Sequence, residues 1–109
     1  MKLLIKRDQA KALLGGVKFE LYCRVELTPE EQELIKKYKA HKEPLAYTQV
    51  KGTEIPSLYI QDLIDGVSYK AKDIETLLNI EEVIKEACRS FKKYLQAMAS
   101  FGGEEVIEF

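Results

Sequence analysis

The chain has 109 residues, 17 basic and 18 acidic side chains, and a net charge of −1. This length predicts a single domain, residues 1–109, with one hydrophobic core. The balanced charge argues against a dedicated electrostatic binder of duplex nucleic acid. The charge is unevenly spread, because residues 1–24 carry six basic and two acidic side chains (+4) and residues 56–109 carry six basic and ten acidic ones (−4). Such an asymmetry can steer a partner or a second copy of the chain.

Two cysteines and one histidine are too few for a structural zinc site, which normally takes four such ligands. Cys23 and Cys88 fall on the apolar phase of their own elements, so we expect buried, reduced thiols. The apolar run in MKLLIKRD is too short for a signal peptide, and no segment approaches a membrane span. We therefore expect a cytoplasmic protein with no bound metal or cofactor and no membrane contact.

Residues 2–7 are typical of a short strand, and the pair Gly15-Gly16 further on predicts a turn. Leu13 and Leu14 precede these glycines, although large apolar side chains are unusual in a solvated loop. They either fold back over the core as a small lid or form an exposed apolar tip that contacts another chain.

Side chains in residues 17–27 alternate between apolar and polar without a break, which predicts a half-buried antiparallel strand. Phe19, Leu21 and Cys23 point toward the predicted core. Tyr22 and Arg24 point toward the opposite, outer face of the sheet.

A short helix is predicted near residues 29–39. Thr28 is suited to be its N-cap, Pro29 its first residue and Glu31 the partner of a capping box. Glu43 before Pro44 is biased away from helical angles and ends this region.

Residues 45–50 predict a strand and residues 51–54 a turn. Pro56 then opens a strand at residues 58–64, and Asp65-Gly66 predicts a two-residue hairpin turn to a return strand at residues 67–71.

In that predicted hairpin we expect Ile64 to pair with Val67. This register places Tyr59, Leu63 and Lys70 on the outer face of the sheet and Asp62 on the buried face. A buried carboxylate costs several kcal/mol unless it is paired or hydrogen-bonded. Asp62 is therefore expected to lie at a sheet end where water reaches it, to bond Tyr69 or to belong to a site.

The strongest helical pattern lies in residues 79–102, where apolar side chains recur at i, i+3 and i+4 over five to six turns. Asn79 is the predicted N-cap and Gly102 the predicted C-terminal signal. Glu81 is placed on the polar face, toward solvent. Asp73 is expected to cap a separate helical turn just before this helix.

Residues 105–109 predict a last strand, which either completes the sheet of its own domain or adds to the sheet of another copy. Together the elements predict an α+β fold. It has an antiparallel or mixed sheet of about five to six strands, a long C-terminal amphipathic helix packed across one face and the shorter helix near residues 29–39. The predicted core comprises Phe19, Leu21, Cys23, Val25, Leu34, Ile35, Leu58, Ile60, Val67, Ile84, Cys88, Phe91, Leu95 and Met98.

No catalytic arrangement is visible in the sequence. His41 lies in a polar loop with no nucleophile beside it, and the glycine pairs match no phosphate-binding or dinucleotide motif. The carboxylates of Asp62 and Asp65 have sufficient structural explanations at a turn. We predict no catalytic, cofactor-binding or metal-binding residue, and keep a small enzyme or ligand-binding domain as an alternative.

The function favoured by the sequence is a small non-catalytic protein-interaction module that self-associates. An apolar tip, a C-terminal strand and an aromatic outer sheet face all suit a protein partner. The alternative is a single-stranded nucleic-acid-binding domain that uses aromatic and basic side chains on the outer face. The candidate interaction residues are Leu13, Leu14, Tyr22, Arg24, Tyr59, Leu63 and Lys70.

Overall fold

The computed structural model describes residues 1–11, 13–42, 44–46, 49–50, 53–54 and 58–109. Its elements, in chain order, are β1 (Lys2–Lys11), β2 (Val17–Glu26), α1 (Pro29–Tyr38), a 3-10 turn (Ala40–Lys42), β3 (Pro44–Ala46), β4 (Gln49–Val50), β5 (Thr53–Glu54), β6 (Leu58–Tyr59), α2 (Ile60–Asp65), β7 (Val67–Ala71) and α3 (Ile74–Ser100). The fold is α+β, with a long C-terminal helix and a shorter helix near residues 29–39, as the sequence predicts.

The main sheet is antiparallel with the strand order β1-β2-β7. Alternate residues of β2 (Leu21, Cys23 and Val25) are buried on one face, and α3 contacts both β2 and β7. Two further pairs, β3 with β6 and β4 with β5, form separate two-stranded sheets. In the described ranges the strands are therefore divided among three small sheets rather than joined in one sheet of five to six strands.

The first helix begins as predicted. The Glu31 amide donates to the Thr28 hydroxyl at 3.1 Å, and the Thr28 amide donates to the Glu31 carboxylate at 3.0 Å. Lys39 ends the helix in the left-handed conformation, with φ of 53°. The Tyr38 hydroxyl donates to the Met98 carbonyl oxygen at 3.2 Å, which ties α1 to the end of α3.

The long helix begins earlier than predicted. Asp73 is its N-cap and accepts hydrogen bonds from the Glu75 amide at 3.0 Å and the Thr76 hydroxyl at 3.1 Å. Asn79 therefore lies inside one continuous helix rather than at a boundary. The Asp73 cap and the burial of Leu77 favour continuing the helix through residues that the sequence assigned to a separate turn.

The predicted strand at residues 58–64 is wrong beyond Tyr59, because residues 60–65 form α2. The Tyr59 amide donates to the Asp62 carboxylate at 2.8 Å, which starts the helix and gives Asp62 a structural role. Ile60 and Leu63, three residues apart, are both buried. The hairpin pairing of Ile64 with Val67 is consequently wrong as well.

The return strand β7 pairs with β2 instead, from Phe19 opposite Ala71 to Cys23 opposite Val67. Between residues 44 and 58 the predicted strand at 45–50 corresponds to β3 and β4, while Tyr47 and Thr48 lie outside the described residues. Of the predicted turn at 51–54, Lys51 and Gly52 also lie outside them, and Thr53–Glu54 forms β5. Glu43 and Pro56 are likewise outside them.

Every residue of the predicted core is buried or packs against the buried cluster. Cys23 and Cys88 are free and buried, as expected. The predicted strand at residues 105–109 is not formed, since this segment has no regular secondary structure and is exposed throughout. Among the residues that the structure describes, no strand lies beside it to impose an extended, paired conformation.

Candidate interaction surface

The β1–β2 hairpin extends beyond the rest of the sheet as an arm, which we define as residues 8–18. Strand β7 pairs with β2 only from Phe19 to Cys23, whereas β1 and β2 stay paired out to Lys11 opposite Val17. Every described side chain of the arm is exposed. The arm is thus a two-stranded ribbon with no core behind it.

The tip of the arm is apolar. Leu13 and Leu14 are each as exposed as in an extended chain, at 101%. Gly15 and Gly16 follow with φ of 86° and 83°, a conformation that a side chain would strain. Of the two alternatives that the sequence left for these leucines, the structure shows the exposed tip and not the lid.

An ion pair lies at the root of the arm, at Arg7, the residue that precedes it. The Arg7 guanidinium, on β1, donates to the Glu81 carboxylate on α3 at 2.6 Å. The Lys85 ammonium lies 3.2 Å from the other Glu81 oxygen. Glu81 is only 4% exposed, and its hydrogen bond from Arg7 holds the pKa of this carboxyl below its ordinary value. The pair links the root of the arm to the central helix.

The sequence reading missed this contact because Glu81 was assigned to the solvent face. Glu81 lies four residues after Leu77 and three before Ile84, both buried, so the helical spacing places it beside the apolar stripe. That position could have been recognised from the sequence. Its partner could not, because Arg7 is 74 residues away along the chain.

Three of the predicted interaction residues share the outer face of the main sheet. The Tyr22 ring packs over Gly66, where an added Cβ would lie 2.9 Å from two ring carbons. The Arg24 guanidinium lies 3.1 Å from the Glu26 carboxylate, and the Lys70 ammonium lies 3.2 Å from that of Glu20. The outer face therefore carries neighbouring side chains of opposite charge.

Two other predicted residues are not brought to this face. Tyr59 is 39% exposed but lies in β6, whose partner is β3 and not a strand of the main sheet. Leu63 is fully buried. Its predicted position on an outer face is wrong, because α2 replaces the period of two with the helical period and turns Leu63 toward the core.

The carboxylates of Asp62 and Asp65 and the two thiols have structural surroundings that do not favour catalysis. Asp62 and Asp65 line a cleft of about 340 Å³, but Asp62 holds the Tyr59 amide and Asp65 accepts a hydrogen bond from Gln61 at 2.9 Å. Burial raises the pKa of the Cys23 and Cys88 thiols to about 11, which disfavours a nucleophilic thiolate. In the part of the chain that the structure describes, no group of acidic, histidine or cysteine side chains could hold a metal ion.

Comparison with known proteins found no matching family model, no similar curated protein and no similar solved structure. Among the described helices, none has the length and apolarity required to cross a bilayer.

Proposed function

We propose that this chain is a small non-catalytic protein-interaction module that self-associates through its arm. The observation that carries the proposal is the complete exposure of Leu13 and Leu14 at the end of a projecting ribbon. An isolated two-stranded hairpin is only marginally stable in water. An apolar tip on such a ribbon is therefore best explained by a partner that covers it.

The partner proposed is a second copy of the chain. The arm is basic, with Lys11 and Lys18 against Asp8, whereas residues 56–109 of another copy carry an excess of four acidic side chains. A two-fold arrangement buries the same surface on both copies and closes without further growth. The two free, buried cysteines suit the reducing cytoplasm, where we expect the protein to act.

The energies indicate that the tip gives a weak contact by itself. Burying a leucine stabilises a complex by about 1.5–3 kcal/mol, so four leucines in a two-fold pair contribute about 6–12 kcal/mol. Association costs about 4–15 kcal/mol in lost freedom. Additional contacts between the copies are therefore required for a stable dimer.

The test is the absolute mass in solution by size exclusion with light scattering, at low and high salt. We expect twice the chain mass of 12.5 kDa at working concentration. The double variant Leu13→Ser/Leu14→Ser should weaken the dimer at least about a hundredfold, because it removes the apolar tip from both copies. The matched control Ala10→Ser, on the exposed stem of the arm, should leave the dimer unchanged. A monomer at the highest soluble concentration would contradict the proposal.

The alternative of single-stranded nucleic-acid binding has less support. Stacking platforms need an open aromatic face and free basic groups, whereas Tyr22 is packed on Gly66 and the charges of Arg24 and Lys70 face carboxylates. Titration of a labelled oligothymidine at low salt is expected to show no saturable binding. Saturable binding that Tyr22→Ala abolishes would favour the nucleic-acid function instead.

A further inference from the structure

Two backbone segments of this chain are suited to pair with each other and do not do so within one copy. The first is the outer edge of β1. This strand hydrogen-bonds to β2 on one side over its ten residues, and no other strand in the described ranges lies on its other side. A long open edge is a template for another extended segment.

The second segment is the tail, which we define as residues 104–109. It makes no hydrogen bond or ion pair with any described residue, and Val106, Ile107 and Phe109 are 81%, 63% and 117% exposed. Apolar residues with this β propensity are seldom left in water unless something covers them. Six residues span about 20 Å as a strand, and the ten residues of β1 span about 33 Å, so the edge is long enough.

The charges of the two segments are opposite. The tail carries Glu104, Glu105 and Glu108 with no basic side chain. The edge strand carries four basic side chains and one acidic one. Arg7 is engaged by Glu81, while Lys2, Lys6 and Lys11 make no ion pair with a described residue. The Lys6 ammonium lies 5.9 Å from the centroid of the Tyr22 ring, so its charge is not neutralised by a described carboxylate. The three lysines thus match the three glutamates of the tail in number and are opposite in sign.

We infer that the tail of one copy adds as a strand to the outer edge of β1 in a second copy, and that the second copy reciprocates. Backbone hydrogen bonds supply the pairing and the opposite charges set the partner. Leu4, which is 37% exposed on the outer face of β1, is covered by the added strand. The inference rests on the proposed self-association and supplies the contacts that the arm tip lacks.

The charge component is tested by exchanging the charges of the two segments. The edge variant is Lys6→Glu/Lys11→Glu and the tail variant is Glu105→Lys/Glu108→Lys, each in the full chain. Dimer dissociation is measured at low salt by light scattering during dilution. Each variant should weaken the dimer about tenfold, because two equivalent contacts each lose two charge pairs. The combined variant, whose net charge equals that of the natural chain, should recover to within about threefold.

A matched control separates local pairing from general repulsion. Lys36→Glu/Lys93→Glu makes the same change in net charge as the edge variant, at two exposed positions outside the main sheet. It should change dissociation by less than about threefold. Edge and tail variants that dimerise like the natural chain would overturn the inference. So would a combined variant whose loss is the sum of the two separate losses.

Backbone pairing is tested by amide hydrogen exchange of the tail. Protection of residues 104–109 should be present in the dimer and lost on dilution to the monomer, and Ile107→Pro should reduce it because proline disrupts the paired strand. Protection that persists in a monomer would mean pairing with the chain's own β1 and would overturn the exchange between copies.

The arm and tail variants together distinguish the two proposals. Loss of the dimer in the Leu13/Leu14 variant with normal dimers in all tail variants overturns the tail inference and leaves the arm proposal intact. The opposite result supports the tail inference and contradicts the arm. A chain that is monomeric at every concentration contradicts both.

Discussion

The β1–β2 hairpin has a packed half and a solvated half, although its sequence alternates in the same way through both. In the packed half, Leu21, Cys23 and Val25 are at most 3% exposed beneath α3. In the arm, Val17 continues the same alternation and is 44% exposed. The alternating pattern therefore specifies a strand and its two faces, but a second layer must be present before either face is buried.

The root of the arm is where the two halves meet, and it is held by charge rather than by apolar packing. Arg7 lies opposite Leu21 in the hairpin register, and its guanidinium reaches the buried Glu81. An apolar residue at position 7 would extend the core outward along the ribbon. A cation that keeps 60% of its side chain in water instead ends the core at this level.

The largest expected effect is in the packed body. Phe91→Ala should lower the free energy of unfolding by about 3–5 kcal/mol, because Phe91 is 3% exposed and its removal leaves a cavity in the core. Urea denaturation at a concentration where the chain is monomeric measures the change. The control Tyr94→Ala, on a 45% exposed side chain of the same helix, should cost less than about 1 kcal/mol. Equal losses of stability in the two variants would contradict a buried face of α3 at Phe91 and an exposed face at Tyr94.

Two glycines with positive φ, one packed and one in open space, distinguish the body from the arm. Gly66 has φ of 98°, and an added Cβ there would meet the Tyr22 ring; Gly15 has φ of 86° with open space around it. Gly66→Ala should therefore destabilise the chain by about 1–3 kcal/mol. Gly15→Ala carries only the backbone strain and should cost about 1 kcal/mol or less. Denaturation of both variants side by side measures the difference, and equal losses would show that the contact with Tyr22 is unimportant.

The junction between body and arm should respond to acid. The pKa of Glu81 is lower in the folded chain than in the unfolded chain, chiefly because Arg7 hydrogen-bonds its carboxylate. Its contribution to stability is thus fully present above about pH 4.5 and is lost as the pH falls through the lower, folded pKa. Glu81→Gln should flatten this part of the stability profile, measured by urea denaturation from pH 6 to about pH 3. Equal slopes for the Glu81→Gln variant and the natural chain would contradict the linkage.

The smallest expected effect on stability is at the arm tip. Leu13→Ser/Leu14→Ser should change the free energy of unfolding of the monomer by less than about 0.5 kcal/mol, because neither leucine contacts the body. The same variant has the large effect on mass proposed above. Thermal unfolding of the diluted chain gives the measurement, and a marked loss of stability would mean that the leucines fold back onto their own chain in solution.

Local signals in the sequence were sufficient for much of the fold. The capping box at Thr28, the alternation of β2 and the apolar stripe of α3 each involve residues close together along the chain, so their geometry follows from short-range sterics and hydrogen bonding. The exposed tip at Leu13 and Leu14 was one of two alternatives that the sequence raised. Apolar periodicity also selected much of the core, but not Leu63, which is fully buried although the sequence reading placed it on the outer face.

Tertiary structure decided what local signals leave open. The apolar pattern of residues 60–65 is compatible with a strand, by its period of two, and with a helix, by the three-residue spacing of Ile60 and Leu63. The helix is formed, and β7 pairs with β2 rather than with residues 60–65. The burial of Glu81 depends on a guanidinium 74 residues away. The tail has a strand-like pattern but forms no strand, because no described strand lies beside it in the single chain. In each case the deciding interaction joins residues distant in sequence, so only the folded arrangement can determine it.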